Sequence, residues 1–145
     1  MSTFADNRKV LFDFEILERF TAGVELLGTE VKSVRAGSMN LRGSFITVRG
    51  GEAFLVNSDI PPHQPKNAPE SYDAGRPRKL LVSKKEITQL RDAEATKGLT
   101  ILPLSVYNKG RFLKINIAIG RGKKKFDKRQ SIKKRDVERD LDRKL

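Results

Sequence analysis

The sequence predicts a mainly β body, a small closed antiparallel sheet of about six strands with added helices, followed by a basic tail that has no core of its own. Three observations predict it. Leu113, Ile115, Ile117 and Ile119 alternate with Phe112, Lys114, Asn116 and Ala118, the period of two of a half-buried strand. Gly50-Gly51 separates two β-rich runs, Phe45 to Val48 and Glu52 to Val56, as a tight hairpin requires. The stretch from Arg121 to Leu145 holds twelve Lys/Arg against five Asp/Glu, a net +7 of the chain's +12.

Taken in chain order, Phe12, Phe14 and Ile16 alternate with Asp13 and Glu15, which reads as a first strand. Gly23 breaks it, and Val24 to Leu27 is expected as a second, short strand. Leu27, Val31 and Val34 then fall at helical spacing. Thr29 is placed to cap this helix, with Glu30 in its first turn, Arg35 near its end and Gly37 just beyond. After the hairpin, Asn57 to Arg78 contains five prolines and is expected as a long loop, either functional or mobile.

Ser83-Lys84-Lys85-Glu86 is a capping box, with Val82 and Ile87 at the positions of a hydrophobic staple. Ile87 and Leu90 form the apolar stripe of this helix, and Gly98 ends it. Leu99 to Tyr107 reads as a strand in which Pro103 argues for an edge or a bulge. Asn108-Lys109-Gly110 turns the chain into the last strand, whose Leu113 set faces the core and whose Phe112 set faces outward. Six strands leave two exposed edges unless the sheet closes. An OB-like barrel is therefore the expected fold.

Gly120-Arg121-Gly122 is expected to be flexible and to start the tail, dividing the chain into a body of residues 1–120 and a tail of 121–145. From Ser131 the tail has good helix formers, but its apolar stripe is only Val137, Leu141 and Leu145. So short and polar a helix is marginal in water. The tail is expected to be disordered when free and helical on its partner.

Composition narrows the function. Without cysteine there is no disulfide framework and no thiolate metal site. The N-terminus lacks the apolar segment of a signal peptide, and no run approaches the ~18 apolar residues of a membrane span. The expected compartment is the cytoplasm, with no membrane partner. The lone histidine, His63, lies in the proline-rich loop and reads as exposed. Gly120-Arg121-Gly122-Lys123 lacks the spacing of a phosphate loop. No enzyme activity, catalytic residue, metal or cofactor is expected.

A basic chain with a basic tail instead reads as a polyanion binder, RNA before all others. Lys114 and Asn116 on the outward face of the last strand, with Phe112 beside them, are candidate RNA contacts, because cations neutralise phosphates and aromatic rings stack on unpaired bases. Phe112 could equally be a partly buried strand residue. Phe126, amid Lys123-Lys124-Lys125 and Asp127-Lys128-Arg129, is either a stacking group or an anchor of the tail onto the body. A structural ribosomal protein of OB type is the alternative class.

Together these segments resemble the SsrA-binding protein family (small protein B). The residues that carry the resemblance are Asn7-Arg8-Lys9, Ala22-Gly23-Val24-Glu25-Leu26, Gly28-Thr29-Glu30-Val31-Lys32-Ser33, Gly51-Glu52-Ala53-Phe54-Leu55, Arg76-Pro77-Arg78-Lys79-Leu80-Leu81-Val82, and Gly120-Arg121-Gly122-Lys123-Lys124 through Asp127-Lys128-Arg129. The resemblance implies an OB-like barrel that binds the tRNA-like domain of transfer-messenger RNA and rescues ribosomes stalled without a stop codon. It implies delivery by elongation factor Tu to the A site. It also implies a tail that contacts 16S rRNA at the decoding centre and runs along the empty mRNA channel.

By the same resemblance Asn7, Leu81 and Lys114 match positions linked to RNA binding. Arg121, Gly122, Lys123, Lys124, Asp127, Lys128 and Arg129 match the tail junction. Phe12 stands where the family commonly has histidine, Phe14 where it has tyrosine, Thr21 where it has a glutamate of the RNA interface, and Phe126 where it has histidine or tyrosine. Stacking by Phe12 or Phe126 survives these departures, whereas side-chain hydrogen bonding there does not.

Overall fold

The computed structural model describes residues 3–64 and 69–123. Among these residues, seven antiparallel strands and three helices follow in the order β1 (Thr3–Asp6), α1 (Arg8–Asp13), β2 (Phe14–Val24), α2 (Gly28–Arg35), β3 (Phe45–Arg49), β4 (Glu52–Val56), β5 (Arg78–Leu81), α3 (Lys84–Ala95), β6 (Leu99–Lys109) and β7 (Phe112–Gly122). The sheet order is β1-β6-β7-β2-β5-β4-β3. β3, at one end of this order, packs back against β6 near the other, so the sheet is rolled into a barrel. The expected mainly β fold with added helices is present, with seven strands rather than about six.

The inward set is the expected one. Leu113, Ile115, Ile117 and Ile119 meet Phe20, Ala22, Ile46, Leu55, Leu80, Ile101 and Val106 in one core, closed by Val34 of α2 and Leu90 of α3. The β3–β4 hairpin turns at Gly50 and Gly51, which sit at φ 59° and 75°, the left-handed region that glycine enters without a Cβ clash. The capping box of α3 forms as read. Ser83 Oγ accepts from the Glu86 amide at 3.2 Å, and Glu86 Oε1 accepts from the Ser83 amide at 3.0 Å. Val82 and Ile87 pack against the core beside it.

Several expectations change. Phe12 is not in a strand: α1 occupies Arg8–Asp13 and β2 starts at Phe14. Val10 and Phe14 stand four residues apart and join the same apolar cluster, a helical relation that the shorter alternation of Phe12, Phe14 and Ile16 concealed. Gly23 does not break its strand, because it is paired on both sides, with Leu81 and Lys114. No second strand follows at Val24 to Leu27. Leu27, not Thr29, is the N-cap of α2, and its amide donates to Glu30 Oε1 at 2.9 Å.

β1 and β5 are the strands the pattern did not announce. β5 begins at Arg78, the residue expected to close the long loop. Pro103 sits at a register shift of β6, just beyond the stretch Ser105–Tyr107 that pairs with β1, so it marks a bulge and is paired on the β7 side alone. The turn into β7 is Gly110-Arg111, since Asn108 and Lys109 pair with Leu113 and Phe112. Ala118 does not face solvent but is wholly buried with Val10, Leu102 and Leu104 beneath α1. Finally, Gly120-Arg121-Gly122 is strand rather than flexible junction. A side chain at Gly120 would lie 3.3 Å from Leu102 Cδ1 and from Phe14 Cβ, so any other residue would have to push these neighbours aside.

Candidate nucleic-acid interface

Residues far apart in the chain become neighbours through strand register. Gly23 of β2 is paired with Leu81 of β5 on one side and with Lys114 of β7 on the other. The next outward pair is Thr21 with Asn116. Thr21, Leu81 and Lys114, three residues tied to RNA by the sequence, therefore lie on one face of three adjacent strands. Leu81 is 50% exposed and Phe112 is 69% exposed, so the face offers apolar surface to a partner. Residues as exposed as these fit a stacking surface better than a core.

Gly23 is the floor of this face. A Cβ there would come within 3.2 Å of Leu81 Cβ, so the missing side chain lets Leu81 lie over the strand. A groove of about 220 Å³ results, lined by Gly23, Leu81, Arg111, Phe112 and Lys114 among others. Beside it runs a polar row. Thr21 Oγ1 donates to Asn116 Oδ1 at 3.3 Å, and Asn116 Nδ2 donates to Ser105 Oγ at 3.2 Å. The arrangement combines two apolar surfaces, two cations and a fixed row of amide and hydroxyl groups. That set suits bases and phosphates together.

The other sequence-selected residues lie elsewhere. Asn7 is 8% exposed; its Nδ2 donates to the Pro103 carbonyl at 3.2 Å and its amide to the Leu104 carbonyl at 2.9 Å, holding the β6 bulge. Phe12 is half-buried on α1. Arg121 and Gly122 end β7 opposite Glu15 and Phe14. The Lys123 amide donates to the Asp13 carbonyl at 2.8 Å, and Lys123 Nζ lies 3.4 Å from the Leu11 carbonyl. Lys124, Phe126, Asp127, Lys128 and Arg129, with the expected tail helix, lie outside the described residues.

Sequence reasoning missed the buried ionic cluster that frames β5. Glu30 of α2 is 1% exposed, and Arg78 at the start of β5 is fully buried. Arg78 donates from Nη2 (2.6 Å) and Nε (3.1 Å) to Glu30 Oε2, and Arg76 donates to both carboxylate oxygens. Tyr72 closes the cluster with its hydroxyl 3.2 Å from Glu30 Oε2 and donating to the Ile60 carbonyl at 2.7 Å. Burial alone would raise the Glu30 carboxyl. Hydrogen bonds from Arg76, the Leu27 amide and Arg78 outweigh it and hold the carboxyl below its ordinary value. Burial, then the Glu30 charge, push the Tyr72 phenol up. The cluster ties α2, the proline-rich loop and β5 together, and so fixes the strand that carries Leu81. The two arginines around Pro77 were the visible signal, but nothing local pairs them with Glu30.

The comparisons bear on the chain and its fold as a whole. The SmpB protein family model matches residues 4–145. An SsrA-binding protein of Microcystis aeruginosa is 51% identical over 138 residues, spanning 95% of this chain and 90% of the relative. One from Chloroflexus aggregans is 46% identical over 145 residues, spanning 100% and 92%. A solved chain from work on tmRNA-SmpB in the bacterial ribosome superposes with a TM-score of 0.68 at 39% identity, covering 88% of this chain and 92% of that one. With the barrel, the open Leu81–Lys114 face and a match over nearly the whole length, the chain belongs to the SmpB family of SsrA-binding proteins.

Proposed function

We propose that this chain binds the tRNA-like domain of transfer-messenger RNA and brings it to the A site of ribosomes stalled without a stop codon. The convergence of Thr21, Gly23, Leu81 and Lys114 on one open end of the sheet, in a member of this family, carries the reading. The RNA lies on this face, with Lys114 and Arg111 on phosphates and Leu81 and Phe112 against sugars or bases. Asn7 supports binding from within by holding the β6 bulge, one residue before Ser105 joins the polar row. Phe12, on α1 beside the Phe14–Gly122 end of the ladder, stands away from this face and takes no part in it.

The division of labour follows residues 1–120 as body and 121–145 as tail. β2 and β7 run side by side from Gly23–Lys114 to Phe14–Gly122, roughly 27 Å at 3.4 Å per residue. Arg121, Gly122 and Lys123 therefore send the tail out at the end remote from the RNA face. Lys124, Phe126, Asp127, Lys128 and Arg129 meet 16S rRNA at the decoding centre, and the remainder enters the mRNA channel. A basic helix fits a channel walled by phosphates, and mRNA already in the channel excludes it by shape. No bond is made or broken by this chain. Hydrolysis of GTP belongs to elongation factor Tu, which delivers the complex in the cytoplasm.

Binding of transfer-messenger RNA across a salt series tests the reading. Lys114→Ala should weaken binding and reduce the slope of log affinity against log salt by about one phosphate contact. Truncation before Ser131 should leave affinity near that of the full chain and abolish rescue of stalled ribosomes. An unchanged slope in Lys114→Ala, or RNA binding lost with the tail, overturns it.

A further inference from the structure

Strand register sets two adjacent rows on the outer surface of β6, β7 and β2. Val106 and Ile115 are paired with one another and buried, so Ser105 and Tyr107 of β6, and Lys114 and Asn116 of β7, stand outward on either side of them. In one row Tyr107 lies opposite Lys114, which lies opposite Gly23. In the next, Ser105 lies opposite Asn116, which lies opposite Thr21. Asn116 is therefore held from both sides. Its Oδ1 accepts from Thr21 Oγ1 at 3.3 Å, and its Nδ2 donates to Ser105 Oγ at 3.2 Å. Because the two hydroxyls come from the two flanking strands, the O–N axis of the amide runs across the sheet. The outer edge of the amide, one N–H beside one oxygen lone pair, faces away from the barrel. Asn116 is only half-buried, so that edge is open to a partner. A side chain already fixed in this way loses little freedom when it is bound.

Lys114 stands two residues along the same strand, about 7 Å away at 3.4 Å per residue. Tyr107, half-buried in the Lys114 row, adds a ring for a base to lie against. A phosphate contact positions RNA, whereas a contact to a base edge identifies it. Resting on the reading of this face as the binding surface for the tRNA-like domain of transfer-messenger RNA, we propose that Asn116 is its specificity-determining residue and reads one unpaired adenine of that domain. Adenine carries an acceptor beside its exocyclic amino donor on both its Watson–Crick edge (N1 with N6) and its Hoogsteen edge (N7 with N6), and an asparagine amide meets such a pair with two hydrogen bonds. Guanine offers acceptors alone on its Hoogsteen edge, and each pyrimidine has a single edge of this kind. The purine also presents the larger ring face to Tyr107. Lys114 takes the adjoining phosphate, so one strand supplies both the neutral reader and the cation.

The test uses the full chain to select from transfer-messenger RNA in which the unpaired positions of the tRNA-like domain are randomised. The parent chain should enrich adenine at one position, about fivefold or more over the other bases. Asn116→Thr places a β-branched residue in a strand and keeps a hydroxyl in the row, so urea unfolding should match the parent. It should bind the selected RNA about tenfold more weakly and enrich no base at that position. The lost contact is neutral, so the slope of log affinity against log salt should stay that of the parent, whereas Lys114→Ala lowers it by about one. A row that only tied the three strands together would leave base preference untouched. Enrichment of another base, enrichment of none, or the same preference in Asn116→Thr overturns the proposal. A parent chain that fails to bind the tRNA-like domain at all overturns the reading of the face as well, so the two failures stay apart.

Discussion

At the Phe14–Gly122 end of the β2–β7 ladder, the outer surface is roofed: Val10 of α1 packs onto Leu102, Leu104 and Ala118. At the Gly23–Lys114 end the same two strands carry the same alternation, yet Lys114 and Asn116 are only half-buried and Phe112 projects into solvent. The strands do not differ in kind between these ends. What differs is a six-residue helix that covers one end and leaves the other open. An outward-facing position in a sheet is thus a structural residue or a binding residue according to what lies above it.

The largest expected effect comes from the cluster that holds the open end in shape. Arg78→Met removes one partner of a buried ion pair and should cost about 3–5 kcal/mol in urea unfolding, whereas Glu30→Met with Arg78→Met should recover much of it. Recovery of stability without recovery of RNA binding would show that the cluster shapes β5 as well as stabilising it. Acid reports on the same carboxylate. Because Glu30 is held below its ordinary value, its contribution is fully present above about pH 4.3 and is lost as pH falls through the lowered folded value. Glu30→Gln should flatten that part of the acid-unfolding curve; an unchanged curve would mean that Glu30 is not the titrating group.

Next in size is the roofed end. Val10→Ala should cost about 1.5–3 kcal/mol of stability, through lost burial on Leu102 and Ala118. Affinity for transfer-messenger RNA should stay within about twofold, since the open face is not touched. A parallel loss of affinity would mean that the two ends are coupled through the strands. The smallest effect is expected at the open end itself. Gly23→Ala places a Cβ 3.2 Å from Leu81 Cβ. It should change stability little and lower RNA affinity about fivefold, on the order of 1 kcal/mol, by turning Leu81 aside. Undiminished binding would show that the position of Leu81 does not matter.

Local signals were legible where they were complete within a few residues. The Gly50-Gly51 hairpin, the Ser83–Glu86 capping box, the inward Leu113 to Ile119 row and the bulge at Pro103 all follow from neighbours in the chain. α1 was not legible, because its apolar contacts, Val10 and Phe14, flank a Phe12 that mimics strand alternation. β5 was not legible either: a four-residue strand opening on an arginine buries that charge only because Glu30 arrives from α2. Of the candidate binding residues, Lys114 could be read from its strand, but its meeting with Thr21 and Leu81 could not.

Sequence alone determined the elements whose free energy is local: turns that need glycine, a helix start whose amides its own side chains satisfy, and faces set by a period of two. It also determined the charge that makes a polyanion the natural partner, since charge depends on composition and not on fold. Only the tertiary structure decided which outward faces stay open. That choice depends on register and on long-range packing: Gly23 between Leu81 and Lys114, α1 over Ala118, Glu30 under Arg78. Each joins segments separated by tens of residues, and contact between them arises only when the barrel closes and brings them within van der Waals or hydrogen-bonding distance.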